Sequence, residues 1–112
     1  MTTFKLQSYP NIEFAKTVEG VTYYFHFCYF RGLMYATIED ATGAALAQSL
    51  RCVDRQWLIP YPAYVKEGKG NFRFEDMNGD YPDFRNFGTT CNLVYYTATE
   101  IADMEQEGAD GE

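Results

Sequence analysis

The run Val21–Phe30, VTYYFHFCYF, limits the fold more than any other stretch. Its odd positions are Val21, Tyr23, Phe25, Phe27 and Tyr29. Successive side chains of a strand point to opposite faces, so these five form one continuous apolar face. The even positions, Thr22, Tyr24, His26, Cys28 and Phe30, are mixed and suit a half-covered second face. Helical spacing would group Val21, Tyr24, Phe25 and Cys28, which are also apolar. The density of aromatics and threonine, with Gly20 and Gly32 at the two ends, favours a strand. Leu33 to Glu39 alternates again, with Met34, Ala36 and Ile38 on one face and Tyr35, Thr37 and Glu39 on the other. Arg31-Gly32 is short enough to join the two runs as a hairpin. Asp40 to Gly43 reads as a type I turn, with Asp40 bonding its own backbone and Gly43 taking positive φ.

Further strands are expected around this hairpin. Thr2 to Gln7 is short and ends before Pro10. Asn11 to Val18 puts Ile12, Phe14 and Lys16 on one face, and Glu19-Gly20 turns it into the central run. Ala44 to Cys52 and Asn71 to Glu75 follow. Asn92 to Thr97 is apolar on both faces, so it is central or covered. Pro60 and Pro62 hold residues 59–63 extended, residues 66–70 turn, and residues 76–88 form a loop. The chain has 112 residues, which makes one domain. Hairpins without a helix predict an all-β fold, a small antiparallel β-barrel or sandwich of about six to eight strands. Its core is placed at Phe14, Val21, Tyr23, Phe25, Phe27, Ile38, Leu50, Phe72, Phe74, Leu93 and Tyr95. Twenty aromatics exceed what such a core requires, so some rings are expected at the surface, open to a partner.

Charge divides the chain. Sixteen acids face nine bases, for a net charge of −7. Six of the acids (Glu100, Asp103, Glu105, Glu107, Asp110 and Glu112) lie in residues 99–112, which have no Lys or Arg. Residues 1–98 therefore hold ten acids against nine bases. A single β domain over residues 1–98 and a disordered acidic tail over residues 99–112 are expected. No basic patch asks for nucleic acid, and no run approaches the ~18 apolar residues of a membrane span. Cys28, Cys52 and Cys91 are odd in number, and the first residues contain no apolar leader. Three thiols in a reducing cytoplasm are expected.

Few residues suggest chemistry. His26 and Cys28 share a strand face, but no Cys-x-x-Cys pair accompanies them, so both read as buried or half-buried structural residues. Asp76 to Asp80 fails the calcium-loop spacing, because Tyr81 stands where glycine is required. Glu39 and Asp40 are adjacent, hence on opposite faces of a strand. No catalytic, cofactor or metal residue is assigned. Arg51, Arg55, Trp57, Tyr61 and Tyr64 are more suggestive, because Arg, Trp and Tyr are enriched at interface hot spots. Prolines beside them would leave edge hydrogen bonds for another chain. An ordinary edge loop folded over the end of the barrel is the other reading of this segment.

The order of elements resembles the baseplate plug proteins of contractile-tailed bacteriophages (myophages). The resemblance rests on the strand with Tyr23, Phe25, Phe27 and Tyr29, on Asp40-x-x-Gly43, and on the passage from Leu50 to Leu58 and Tyr61. It rests also on Gly68 and Gly70 before a short strand, and on Phe87-Gly88 ahead of Leu93-Val94-Tyr95. Met34 departs from it, since a Trp usually opens that strand, and the acidic tail has no counterpart. The resemblance implies a non-enzymatic structural protein of the virion at the tail axis, assembled in the host cytoplasm. It would plug or line the channel and join tail-tube or initiator proteins to the hub and spike. Three or six copies around the axis are implied. The alternative is a small β-barrel binding module for a peptide or carbohydrate, using the Trp57/Tyr61/Tyr64 surface. A hydrolase or metalloprotein has the least support among these residues.

Overall fold

A computed structural model describes residues 1–59 and 69–110, with side chains described up to Met104. The strands are β1 (Thr2–Phe4), β2 (Asn11–Val18), β3 (Val21–Phe30), β4 (Leu33–Glu39), β5 (Ala45–Arg51), β6 (Asn71–Asp76) and β7 (Cys91–Tyr96). One α helix, α1 (Ala98–Asp110), follows β7. Two antiparallel sheets form, ordered β2-β3-β4-β5 and β1-β7-β6. They do not close into a barrel, so of the two expected architectures this is the sandwich.

Local chemistry sets the hairpins. Glu19-Gly20 and Arg31-Gly32 both have positive φ at each residue (50° and 77°, 52° and 82°). That is the primed two-residue turn, whose twist matches the flanking strands. Asp40 Oδ1 accepts from the Thr42 N–H (2.9 Å), the Thr42 hydroxyl (2.6 Å) and the Ala44 N–H (3.1 Å). These bonds hold its carboxyl below the ordinary aspartate range, the Thr42 hydroxyl contributing most. In β5 the register with β4 shifts, and Ser49 takes φ 48°. This bulge turns the Ser49 N–H onto the Thr37 hydroxyl at 3.1 Å.

The core lies between the sheets. Phe25 meets Phe72 edge to face at 4.9 Å, and Phe27 meets Phe74 at 5.0 Å. Tyr23, Phe25, Phe27, Ile38, Phe72, Phe74, Leu93 and Tyr95 are buried as expected. Phe14, Val21 and Leu50 are half-buried at the margin, while Met34, Leu58, Ile59 and Phe87 join the centre. Such aromatic pairs contribute ~0.5–1.5 kcal/mol each beyond their buried area.

Three expectations change. His26 is exposed, its side chain 47% accessible, with Nδ1 3.9 Å from a Glu13 carboxylate oxygen. Its face of β3 looks outward, because the sandwich covers only the odd side. β1 stops at Phe4 instead of reaching Gln7. The acidic tail, expected to be disordered, is helical from Ala98, and Ile101 is buried against Val94 and Tyr96. Burial of Ile101 and Met104 offsets the ordering entropy that the charge pattern alone left unopposed.

Candidate functional site

The five residues singled out as an interface lie on and after β5. Arg51 ends that strand opposite Tyr35, on the outward face of the four-stranded sheet. Its guanidinium sits over the Tyr81 ring at 4.8 Å. Beyond it the chain crosses to the other sheet. Cys52 still donates its N–H to the Met34 carbonyl (2.9 Å). Arg55 then donates its N–H to the Phe74 carbonyl (2.8 Å), and Leu58 donates to the Phe72 carbonyl (2.9 Å). The Asn71 side chain, itself buried, accepts from the Ile59 N–H (3.0 Å) and donates to the Ile59 carbonyl (2.7 Å). Residues 53–59 thus cover the edge of β6. Their N–H groups are spent inside the molecule at Arg55, Leu58 and Ile59, where free edge hydrogen bonds had been expected.

The side chains diverge accordingly. Arg55 pairs with Asp54 (2.7 Å) and donates to the Asp76 carbonyl (3.2 Å). The Asp54 contact raises its already high pKa further. Asp54 accepts the Asp76 N–H at 2.7 Å, so this pair also anchors the end of β6. Trp57 is half-buried on the outward face of the three-stranded sheet, edge to face with Tyr96 at 5.6 Å. The Arg73 guanidinium sits against both rings, 4.8 Å from Trp57 and 4.9 Å from Tyr96. Arg73 pairs with Glu75 at 2.9 Å, and the Tyr96 hydroxyl donates to the same carboxylate. Burial, reinforced by that bond, raises the pKa of Tyr96. Arg51 and Trp57 therefore stand on opposite outer faces, with Arg55 at the margin between them. Tyr61 and Tyr64 lie outside the described residues. A ligand groove on Trp57, Tyr61 and Tyr64 gains no support from this arrangement.

Sequence reasoning missed a second assembly of residues beside Trp57. Thr97 and Glu100 form a reciprocal cap at the start of α1. The Glu100 N–H donates to the Thr97 hydroxyl (3.1 Å), and Glu100 Oε1 accepts the Thr97 N–H (2.9 Å). The Met1 amine also meets Glu100 at 2.6 Å, and these partners lower the carboxyl's pKa. The signal was present: Thr-x-x-Glu directly before an apolar residue starts helices. With the helix anchored, Ile101 and Met104 pack one turn apart on Val94, Tyr96 and Trp57.

Little here resembles a catalytic centre. Cys52 and Cys91 are buried free thiols and Cys28 is half-buried. Burial pushes the Cys91 thiol up to about 12, with the nearby Asp76 adding to it, and burial raises Cys52 further. Both shifts run opposite to those of a reactive thiolate. Among the described residues, no three His, Cys, Asp or Glu side chains gather to hold a metal ion. Asp76 closes its own turn, its Oδ1 accepting from the Asn78 N–H at 2.7 Å and the Asp80 N–H at 3.3 Å.

The described residues thus form a small β sandwich with aromatic and basic residues on its outer faces. Over residues 1–99 the chain matches the family model of the cyanophage baseplate Pam3 plug gp18, and it belongs to that family. No curated protein matches it. Membership bears out the resemblance read from the sequence, and it makes the chain a structural protein of the tail baseplate in a phage particle.

Proposed function

We propose that the chain plugs or lines the axial channel of the baseplate and joins tail-tube or initiator proteins to the hub and spike. The observation that carries this reading is the family match, which runs through every strand of the sandwich. Its role is mechanical and not enzymatic: surfaces pack in the extended tail and shift when the sheath contracts. Several copies surround the axis, three or six by rotational matching, and they assemble in the host cytoplasm. The body, residues 1–98, performs this work. The match ends at residue 99, which supports reading residues 99–112 as an addition to it.

Arg51, Arg55, Trp57, Tyr61 and Tyr64 are the proposed contact residues. Trp57 and Arg55 retain exposed atoms while their backbone is fixed to β6, so each presents a preorganised group to a neighbour. Co-purification with hub and tube-initiator proteins from the same phage tests this. Arg55→Ala and Trp57→Ala are expected to weaken it roughly tenfold or more, with circular dichroism unchanged. Undiminished recovery by both variants would remove the segment from the interface. A wild-type chain that bound no tail protein would remove the plug reading.

A further inference from the structure

The outward face of the four-stranded sheet carries a knob at one end and a hollow at the other. Phe30 is the knob. It is 55% exposed, and the Arg31 guanidinium sits 5.2 Å above its ring. Arg51 stands in register with Tyr35 and Cys28, in the middle of the face, so the cation at this end is Arg31. Two residues back along β3, Cys28 lies between Asn11 and Tyr35. Next come His26 with Glu13 and Thr37, and then Tyr24 with Ala15 and Glu39. There the surface sinks into a hollow of about 560 Å³, lined by Glu13, Tyr24, His26, Thr37 and Glu39. A second hollow of about 420 Å³ lies between Cys28, Phe30, Tyr35 and Ser49.

The two ends complement each other: an aromatic ring topped by a cation matches a cleft lined by carboxylates. Because both lie on one face, a second copy satisfies both at once only through a two-fold axis. We propose that two copies of this chain pair through this face, Phe30 and Arg31 of each seated in the Glu13–Glu39 hollow of the other. Tyr24 of each then meets the second hollow of its partner. Cys28 lies midway between knob and hollow, hence near the axis, and it is the most accessible of the three thiols. Four strands about 4.8 Å apart and up to ten residues long give roughly 600 Å² of face. Standard interfaces bury about 800 Å² per partner, so this face is at the small end of that class. An isologous contact cannot extend into a ring. The pair is a property of the protein outside the baseplate and does not rest on the plug reading.

Sedimentation velocity of the full chain from about 1 to 200 μM tests it. The dimer is expected to accumulate across this range. Arg31→Glu and Glu39→Arg are each expected to weaken it roughly tenfold or more, since each places like charges together at both contacts. An equimolar mixture of the two variants restores it in part, because both contacts between positions 31 and 39 then join opposite charges, while Glu13 is unchanged. Mild oxidation is expected to link wild-type copies through Cys28, and Cys28→Ser removes the link. A chain monomeric at every concentration would leave the face to another baseplate protein and overturn the pairing. A dimer indifferent to both reversals, or a mixture no better than either variant alone, would also overturn it.

Discussion

The outer faces of the two sheets begin from similar material and end differently. Both carry aromatic side chains beside charged ones. On the three-stranded sheet, Val94 and Tyr96 are buried under Ile101 of α1, and the Arg73 guanidinium packs against both Trp57 and Tyr96. On the four-stranded sheet, Tyr24, His26 and Phe30 remain open. The difference traces to a few residues after β7. Thr97 and Glu100 start a helix there, and Ile101 and Met104 give it an apolar side. The family match stops at residue 99, just where this cover begins. A segment outside the shared pattern thus shields one face, while the family's own strands leave the other available for contact.

Removing the cover is the largest way to break this contrast. Ile101→Ala is expected to cost about 2–4 kcal/mol, the range of buried aliphatic truncations, and to lower the melting temperature by several degrees or more. Deleting residues 101–112 is expected to cost at least as much. This reverses what the acidic composition suggested, namely a dispensable tail. An unchanged melting temperature in calorimetry would mean that α1 does not cover the sheet.

The interior itself responds to alkali. Burial raises the Cys91 thiol from an ordinary value of 9.0 to about 12. The Tyr95 phenol rises from 10.0 to about 12, also by burial, with the nearby Glu19 adding to it. In both groups the folded state holds its proton after the unfolded chain has released it. Their stabilising contribution is complete below pH 9.0 for Cys91 and below pH 10.0 for Tyr95, and it is lost as pH rises toward 12. The slope is roughly 1.4 kcal/mol per pH unit for each group. Denaturant titrations between pH 8 and about 11 check this. A stability flat across that range would contradict the burial of these groups.

Smaller effects sharpen the contrast. Thr97→Ala removes half of the reciprocal cap and is expected to cost about 1 kcal/mol, read as a shift in denaturant midpoint. Phe30→Ala, on the open face, is expected to stay within about 0.5 kcal/mol of the parent. A loss above that at low protein concentration would show that Phe30 packs within its own chain.

Most of the sandwich was legible because its signals are local and repeated. Strict alternation grouped Tyr23, Phe25 and Phe27 on one face of β3, and Met34, Ala36 and Ile38 on one face of β4; all six are buried, although only Ile38 of the second set was placed in the core. Turn chemistry at Arg31-Gly32 and Asp40–Gly43 fixed the joints. The double-faced apolar pattern of Leu93, Val94, Tyr95 and Tyr96 required cover on both sides and received it, from the other sheet and from α1. What covered the second side was not read, because acidic composition was weighed above the four-residue cap motif. The proposed interface was the least legible part. Residue types singled out Arg51, Arg55 and Trp57, of which the two arginines are exposed and Trp57 is half-buried. Their separation depends on where residues 53–59 cross between the sheets, a tertiary matter decided by the Asn71 and Asp54 side chains. His26 read as enclosed because its neighbours are aromatic. Those on its own face, Tyr24 and Phe30, proved to be exposed as well.

The most direct measurement is a cryo-electron microscopy reconstruction of the baseplate from particles of the phage that encodes this chain. Density for the sandwich is expected at the tail axis, between tube and hub, with α1 seated on the three-stranded sheet. A baseplate whose axial density fits other chains, with this one absent from the particle, would contradict this.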